Sequence, residues 1–202
     1  MRIDALPHIT PAFALTRCRG PVCIEAETSG SVVIKAPRAL AFAAYDNIER
    51  MPEWMPMLES VVFVDKEDRR SEWTLNLPRP VFRLASAVGF GQLVRWEAIH
   101  RVESPRILRW NSLSGFPNRG EMFFETVDGE VATTQVTLRM TYELPDAAAP
   151  LIKNMLAQRF MRYTVRRAME RYKEVMEEEA AALQVPVEAE VDEVPVDVLN
   201  LR

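Results

Sequence analysis

Cysteine, histidine and glycine are scarce in this chain, and each scarcity removes a class of function. Of 202 residues, two are cysteines (Cys18 and Cys23) and two are histidines (His8 and His100). A Cys-x4-Cys pair with no nearby histidine is a poor zinc site and builds no disulfide framework, so a reducing compartment is expected. Two histidines leave little for metal catalysis through imidazoles, and neither a metal nor a cofactor is expected. Seven glycines exclude collagen-like and Gly-rich low-complexity chains. No run approaches the roughly 18 apolar residues of a membrane-spanning helix, and no apolar segment suits a secretory signal. Catalytic signatures are missing too: no G-x-S-x-G elbow, no G-x-G-x-x-G, no phosphate-binding loop and no H-E-x-x-H. No catalytic residue is assigned on this basis.

What remains is ordinary in amount and uneven in placement. Hydrophobic residues make up 48% and charged residues 27%, enough apolar material for one generous domain. The net charge of −4 divides sharply: residues 177–202 hold eight acids and one base, leaving residues 1–176 mildly basic. Residues 1–29 are expected as an N-terminal arm, interrupted by Pro7, Pro11 and Pro21. Its Arg2, Arg17 and Arg19 against a single early Asp4 also fit an organelle transit segment ending near Cys23. Residues 30–183 carry the pattern of a folded domain, and 184–202 form an acidic tail with Pro186 and Pro195.

From Gly30 onward the periodicity is legible. Residues 31–36 predict a short strand stopped by Pro37. Residues 38–48 have helical spacing, with Leu40, Ala44 and Ile48 on one face and Ala41 and Tyr45 beside it. Pro52 and Pro56 bracket a very short second helix. Strands follow at 61–65, 71–77, 93–102, 106–112, after Gly120, and at 132–144. Along the last of these Val136, Leu138, Met140 and Tyr142 alternate with Gln135, Thr137, Arg139 and Glu143, which predicts one covered face and one wet face. Turn residues at Ser114-Gly115 and Pro117-Asn118, and again at Asp128-Gly129, predict antiparallel neighbours. The period then becomes helical from Ile152 to Leu183. The expected fold is α+β: a strand, two short helices, an antiparallel meander of about six to seven strands, and a long terminal helix across it.

The inner face of that sheet is bulky and adaptable. Trp73, Trp96, Trp110, Phe124, Met140 and Tyr142 fill a core on the plain reading; a sheet curved around one helix also leaves room for an apolar guest. His100, a lone histidine at a strand end, reads as exposed and idle. The terminal helix carries Arg159, Arg162 and Arg166 on one face, either a solvated surface or a docking face for anionic lipid or a membrane complex. Nucleic acid is not expected, since the aromatics belong to the opposite face.

Several stretches resemble one family in order and spacing. They are Val32-Val33-Ile34-Lys35-Ala36-Pro37, Ile48-Glu49-Arg50-Met51-Pro52-Glu53-Trp54, Arg95-Trp96-Glu97-Ala98-Ile99, Leu108-Arg109-Trp110-Asn111-Ser112 and Asn118-Arg119-Gly120. Together, across residues 31–179, they resemble polyketide cyclase/dehydrase-like proteins of the START-like, helix-grip superfamily, which includes coenzyme Q-binding START proteins. The Asn-Arg-Gly step is similar to cyanobacterial and plastid forms, which implies a chloroplast location, with the cytoplasm as the alternative. The resemblance implies a curved sheet gripping the terminal helix around a hydrophobic small molecule such as a lipid, quinone or isoprenoid. The residues expected to line that site are Trp54, Trp73, Trp96, Trp110, Phe124, Leu138, Met140, Tyr142, Val165 and Met169. The leading expectation is a non-catalytic carrier or chaperone. The alternatives are a cyclase or dehydratase in which His100 or Tyr142 moves protons, and an accessory subunit of a membrane complex. Residues 78–91 form an apolar connection expected as a lid.

Overall fold

Strand β2 (Cys23–Ile34) and strand β8 (Thr134–Pro145) pair antiparallel over their full length, from Cys23 opposite Pro145 to Ile34 opposite Thr134. They sit near one side of a single antiparallel sheet in the computed structural model, which describes residues 13–17, 23–86, 91–127, 132–146 and 155–183. The other strands are β1 (Phe13–Arg17), β3 (Leu58–Asp65), β4 (Arg70–Asn76), β5 (Leu93–Ser104), β6 (Ile107–Gly115) and β7 (Asn118–Thr126). Their order is β1-β2-β8-β7-β6-β5-β4-β3. The long helix α3 (Met155–Ala182) packs across the inner face. The curved sheet and gripped helix match the expected fold class, with an eighth strand added because β1 pairs with the first half of β2. The strand expected over 31–36 therefore begins at Cys23, inside the segment expected as an arm. Residues 1–12 and the tail from Gln184 lie outside the described residues, as does the Asp128-Gly129 turn.

Between β2 and β3 the chain makes helix α1 (Arg38–Asp46) and a 3-10 helix (Ile48–Glu53). Pro37, whose ring fixes φ near the value a helix entry needs, precedes α1 and accepts a bond from Ala41 N–H. The buried face is Ala41, Ala44, Tyr45 and Ile48, so Leu40 is displaced from the centre of the stripe to a half-buried flank. Pro52 lacks the N–H that would extend the second turn, and Trp54 follows it at 1% exposure. Its indole lies 5.0 Å from the Tyr172 ring and 6.2 Å from Tyr45; Tyr45 and Phe42 in turn pack edge-on against Phe124. This end of the interior is filled by protein. The connection expected as a lid includes helix α2 (Arg79–Ala85), while residues 87–90 lie outside the described residues.

The C-terminal turns of α3 are tied down at several points. Tyr172 Oη donates to the Ala41 carbonyl, Lys173 Nζ to the Val33 carbonyl at 2.8 Å, and Lys35 N–H to Glu177 at 2.9 Å. Arg50 pairs with both Glu53 and Glu179. Halfway along, the helix rests on β2 at Gly30, where a Cβ would stand 2.7 Å from Val165. The sheet's outer face carries exposed ion pairs such as Arg109–Glu121 and Arg119–Glu25, which add little stability each.

Candidate functional site

Strand register sorts the inward side chains into two ends. Ile34 and Thr134 share one end with Phe124 close by, and Ala26, Tyr142 and Asn118 share the other. The first end, under α1, belongs to the main core with Trp54, Phe124, Leu138, Met169 and Tyr172. The second end, beside the β6–β7 turn, holds a separate small cluster: Ala26 and Tyr142 with Phe116, Leu144 and Met161, joined to the main core by Met140.

Trp110 marks the division. Thr28, Met140, Gly120, Trp110 and His100 pair in sequence across β2, β8, β7, β6 and β5, forming one inward belt. Gly120 has no side chain, and the indole of Trp110 occupies the space: a Cβ there would stand 2.1 Å from its ring. Trp110 Nε1 donates to Asn118 Oδ1 at 3.0 Å, and Asn118 Nδ2 donates to the Phe116 carbonyl at 2.9 Å. The Asn-x-Gly step thus has a packing role, with Asn118 holding the indole and Gly120 admitting it.

Beyond that belt runs a chain of rings. His100 stacks on Trp73 at 5.6 Å, Trp73 on Trp96 at 5.6 Å, and Trp96 meets Phe116 edge-on at 6.0 Å. Phe116 then lies 6.2 Å from Tyr142. Within this half four buried polar atoms have no hydrogen-bond partner, Trp96 Nε1, Tyr142 Oη, Thr28 Oγ1 and His100 Nδ1; Trp54 Nε1 in the filled end and Arg69 Nε lack one too. Burial pushes the Tyr142 phenol well above its ordinary range, so it remains a neutral donor.

His100 is not exposed as expected; it is 2% exposed, because the alternation Trp96, Ala98, His100 keeps it on the covered face. Its Nε2 lies 2.9 Å from Ser71 Oγ, which also accepts from Trp73 Nε1 at 2.8 Å. Nδ1 is buried without a partner. Burial, aided by the Arg69 guanidinium, lowers its pKa to about 4, so the ring is neutral near pH 7.

Of the ten residues expected to line a site, Trp73 and Trp96 stack and reach Tyr142 through Phe116, Met140 touches both clusters, and Trp110 lies at the division within the main core. Trp54 and Phe124 lie in the filled end, Leu138 belongs to the main core, and Val165 and Met169 lie where α3 meets Gly30. Phe116 was missed because it sits in a turn, outside any periodicity. Ser71 and Thr28 are small polar residues with no pattern of their own. His100 was within reach by extending the strand's alternation two residues.

On α3, Arg159 and Arg166 are exposed and Arg162 is half-buried. Arg166 meets Glu170 at 3.5 Å and lies over the ring of Tyr163, which is 55% exposed. A depression of about 380 Å³ on the sheet's outer face is lined by Arg106, Ile107, Phe123, Glu125, Thr126 and Gln135, a largely polar set apart from the interior. Among the described residues no group of three or more His, Cys, Asp or Glu is placed to hold a metal, and no helix is long and apolar enough to cross a membrane.

A family model described as polyketide cyclase / dehydrase and lipid transport matches residues 25–177. Among solved structures, a protein of Thermus thermophilus is similar at 22% identity and a TM-score of 0.58, covering 78% of this chain and 99% of its own. The Zhui aromatase/cyclase of Streptomyces sp. R1128 is similar at 15% identity and a TM-score of 0.53, covering 82% of this chain and 99% of its own. A START superfamily protein of Mycobacterium smegmatis is similar at 10% identity and a TM-score of 0.51, covering 78% and 99%. These likenesses are of fold. Comparison with curated protein sequences gave no match.

Proposed function

This chain belongs to the polyketide cyclase / dehydrase and lipid transport family, and from that premise we propose that it carries a hydrophobic small molecule between its sheet and α3. The observation supporting this is the lining of the turn side: Trp73, Trp96, Phe116, Met140 and Tyr142 beside buried hydrogen-bonding atoms that protein leaves unpaired. Trp and Met line guest sites well because they are broad and adaptable, and a guest oxygen could meet such atoms. The ligand class extends to lipids, quinones and isoprenoids, coenzyme Q among them. Native mass spectrometry of gently purified protein is expected to release an apolar small molecule on activation. A protein that neither carries one nor takes up an added apolar probe would remove this reading.

Delivery from a membrane surface fits the same picture. Arg159, Arg162, Tyr163 and Arg166 lie on the half of α3 nearer the turn-side cluster, and cations with an interfacial aromatic suit an anionic headgroup layer. A chloroplast location rests on the sequence likeness alone.

A second reading, cyclase or dehydratase, is favoured by one observation: His100 is neutral, buried and inward, with Nδ1 unpaired. A neutral imidazole is able to take a proton from the methylene between two ligand carbonyls, provided the interior holds the chain folded. With a poly-β-ketone substrate, His100→Gln separates the two readings. A cyclase loses about 100-fold or more in turnover while retaining binding. A carrier shows no turnover in either form.

A further inference from the structure

The unpaired atoms on the turn side are not a random set. Trp96 Nε1 can only donate, and Tyr142 Oη, held protonated by burial, is a donor on offer. They stand on either side of one ring, since Phe116 touches both the Trp96 and the Tyr142 aromatic systems. Thr28 Oγ1, whose hydroxyl rotates to suit, lies on the same covered face next to Met140 in register. Among the described residues the buried ones carry no Asp, Glu, Lys or Arg; besides tyrosines and tryptophans the polar ones are Thr28, Ser71, Thr74, His100, Asn118, Thr133 and Thr134. The cation beside this interior, Arg69 near His100, is already paired with Asp46, so a carboxylate entering beside Trp96 and Tyr142 would lose its water without a free cation to meet it, which is a large penalty.

Resting on the carrier reading above, we propose that Trp96 and Tyr142 select a neutral ligand through carbonyl-type oxygens and reject the anionic headgroup of a free fatty acid. A ketone, quinone or ester oxygen satisfies either donor without bringing charge, and a ligand with two such oxygens could meet both. A site built to hydrogen-bond its ligand also discriminates strongly against analogues lacking the group, because the buried donors are then left unpaired. The two donors thus serve recognition at the expense of the protein's own stability.

The experiment uses the delipidated full-length protein and three probes of similar length: methyl tridecyl ketone, tetradecane and myristate. Binding is read by displacement of a fluorescent apolar dye. The ketone is expected to bind about tenfold more tightly than either of the others. Tyr142→Phe weakens the ketone about five- to tenfold with little change for tetradecane, and Trp96→Phe weakens the ketone several-fold more than it weakens tetradecane. The unfolding midpoint of Tyr142→Phe without probe stays equal to wild type or rises, because the lost hydroxyl had no partner. Myristate binding as tightly as the ketone, or a Tyr142→Phe variant that loses ketone and alkane alike or unfolds earlier, overturns the inference while leaving the carrier intact. Failure of all three probes to bind overturns both.

Discussion

Replacing Gly120 with alanine is expected to cost about 3 kcal/mol and lower the thermal midpoint by about 6–12 °C. The new Cβ would stand 2.1 Å from Cζ2 of Trp110, 2.4 Å from Cη2 and 2.7 Å from Cε2. Those atoms are not a free end. The indole is fixed by its bond to Asn118, is only 9% exposed, and belongs to the main core. It must either force its neighbours apart or leave its place and strand Asn118. Both outcomes are overpacking penalties, the second with a cavity added. The indole would move toward the turn side, so the variant should also bind apolar probes weakly. In a Trp110→Leu background the offending ring atoms are absent, and Gly120→Ala should then cost far less; this coupling is the expected signature of direct contact. A single Gly120→Ala variant that melts within about 2 °C of wild type would show that the indole yields freely.

Acid should weaken the fold through His100 before the carboxylates are titrated. Its pKa falls from an ordinary 6.5 to about 4 in the folded protein, through burial first and the Arg69 charge second. A depressed histidine means that the unfolded chain binds the extra proton between those values. Stability is therefore fully present above pH 6.5, and falls as the pH drops toward 4. The difference corresponds to about 2 kcal/mol at pH 5 and about 3 kcal/mol once the folded form is protonated as well. Urea unfolding from pH 7 down to about pH 4 should show this loss in wild type. His100→Gln keeps a neutral group able to meet Ser71 and should flatten the slope by that amount. Parallel curves for the two proteins would mean that His100 is wetter than its burial indicates.

Elements whose pattern comes from their own chain were legible in the sequence. β8 alternates because one face is covered along its length, and α3 recurs at threes and fours because it lies on the sheet. The first half of β2 was not legible, and the reason is the same helix. Its inward residues are Ala26, Thr28 and Gly30, small where α3 approaches closest, so the strand has no apolar alternation to read. Trp73, Trp96, Met140 and Tyr142 were correctly grouped as inward by period alone. Period could not divide the inward face into a filled end and a turn end. That division depends on α1 and the 3-10 helix sealing one end with Tyr45 and Trp54, and on Trp110 lying over Gly120. Phe116 joins the second group through a turn, where no repeat exists to reveal it.

The full-length pairing of β2 with β8 also constrains when the protein can form. During synthesis the residues of β2 emerge long before their only partner on that side, which ends at Pro145, and before the helix that covers Gly30. Until then only β1, five residues long, can pair with it. The central meander β3–β7 is connected locally and can associate as it emerges, whereas closure of the sheet waits for the last third of the chain. Such late, non-local pairing slows folding and leaves a strand edge exposed in the interval. The acidic residues Glu25 and Glu27 on the outer face of β2 place charge on that waiting edge, which discourages pairing with another nascent chain before the proper partner arrives.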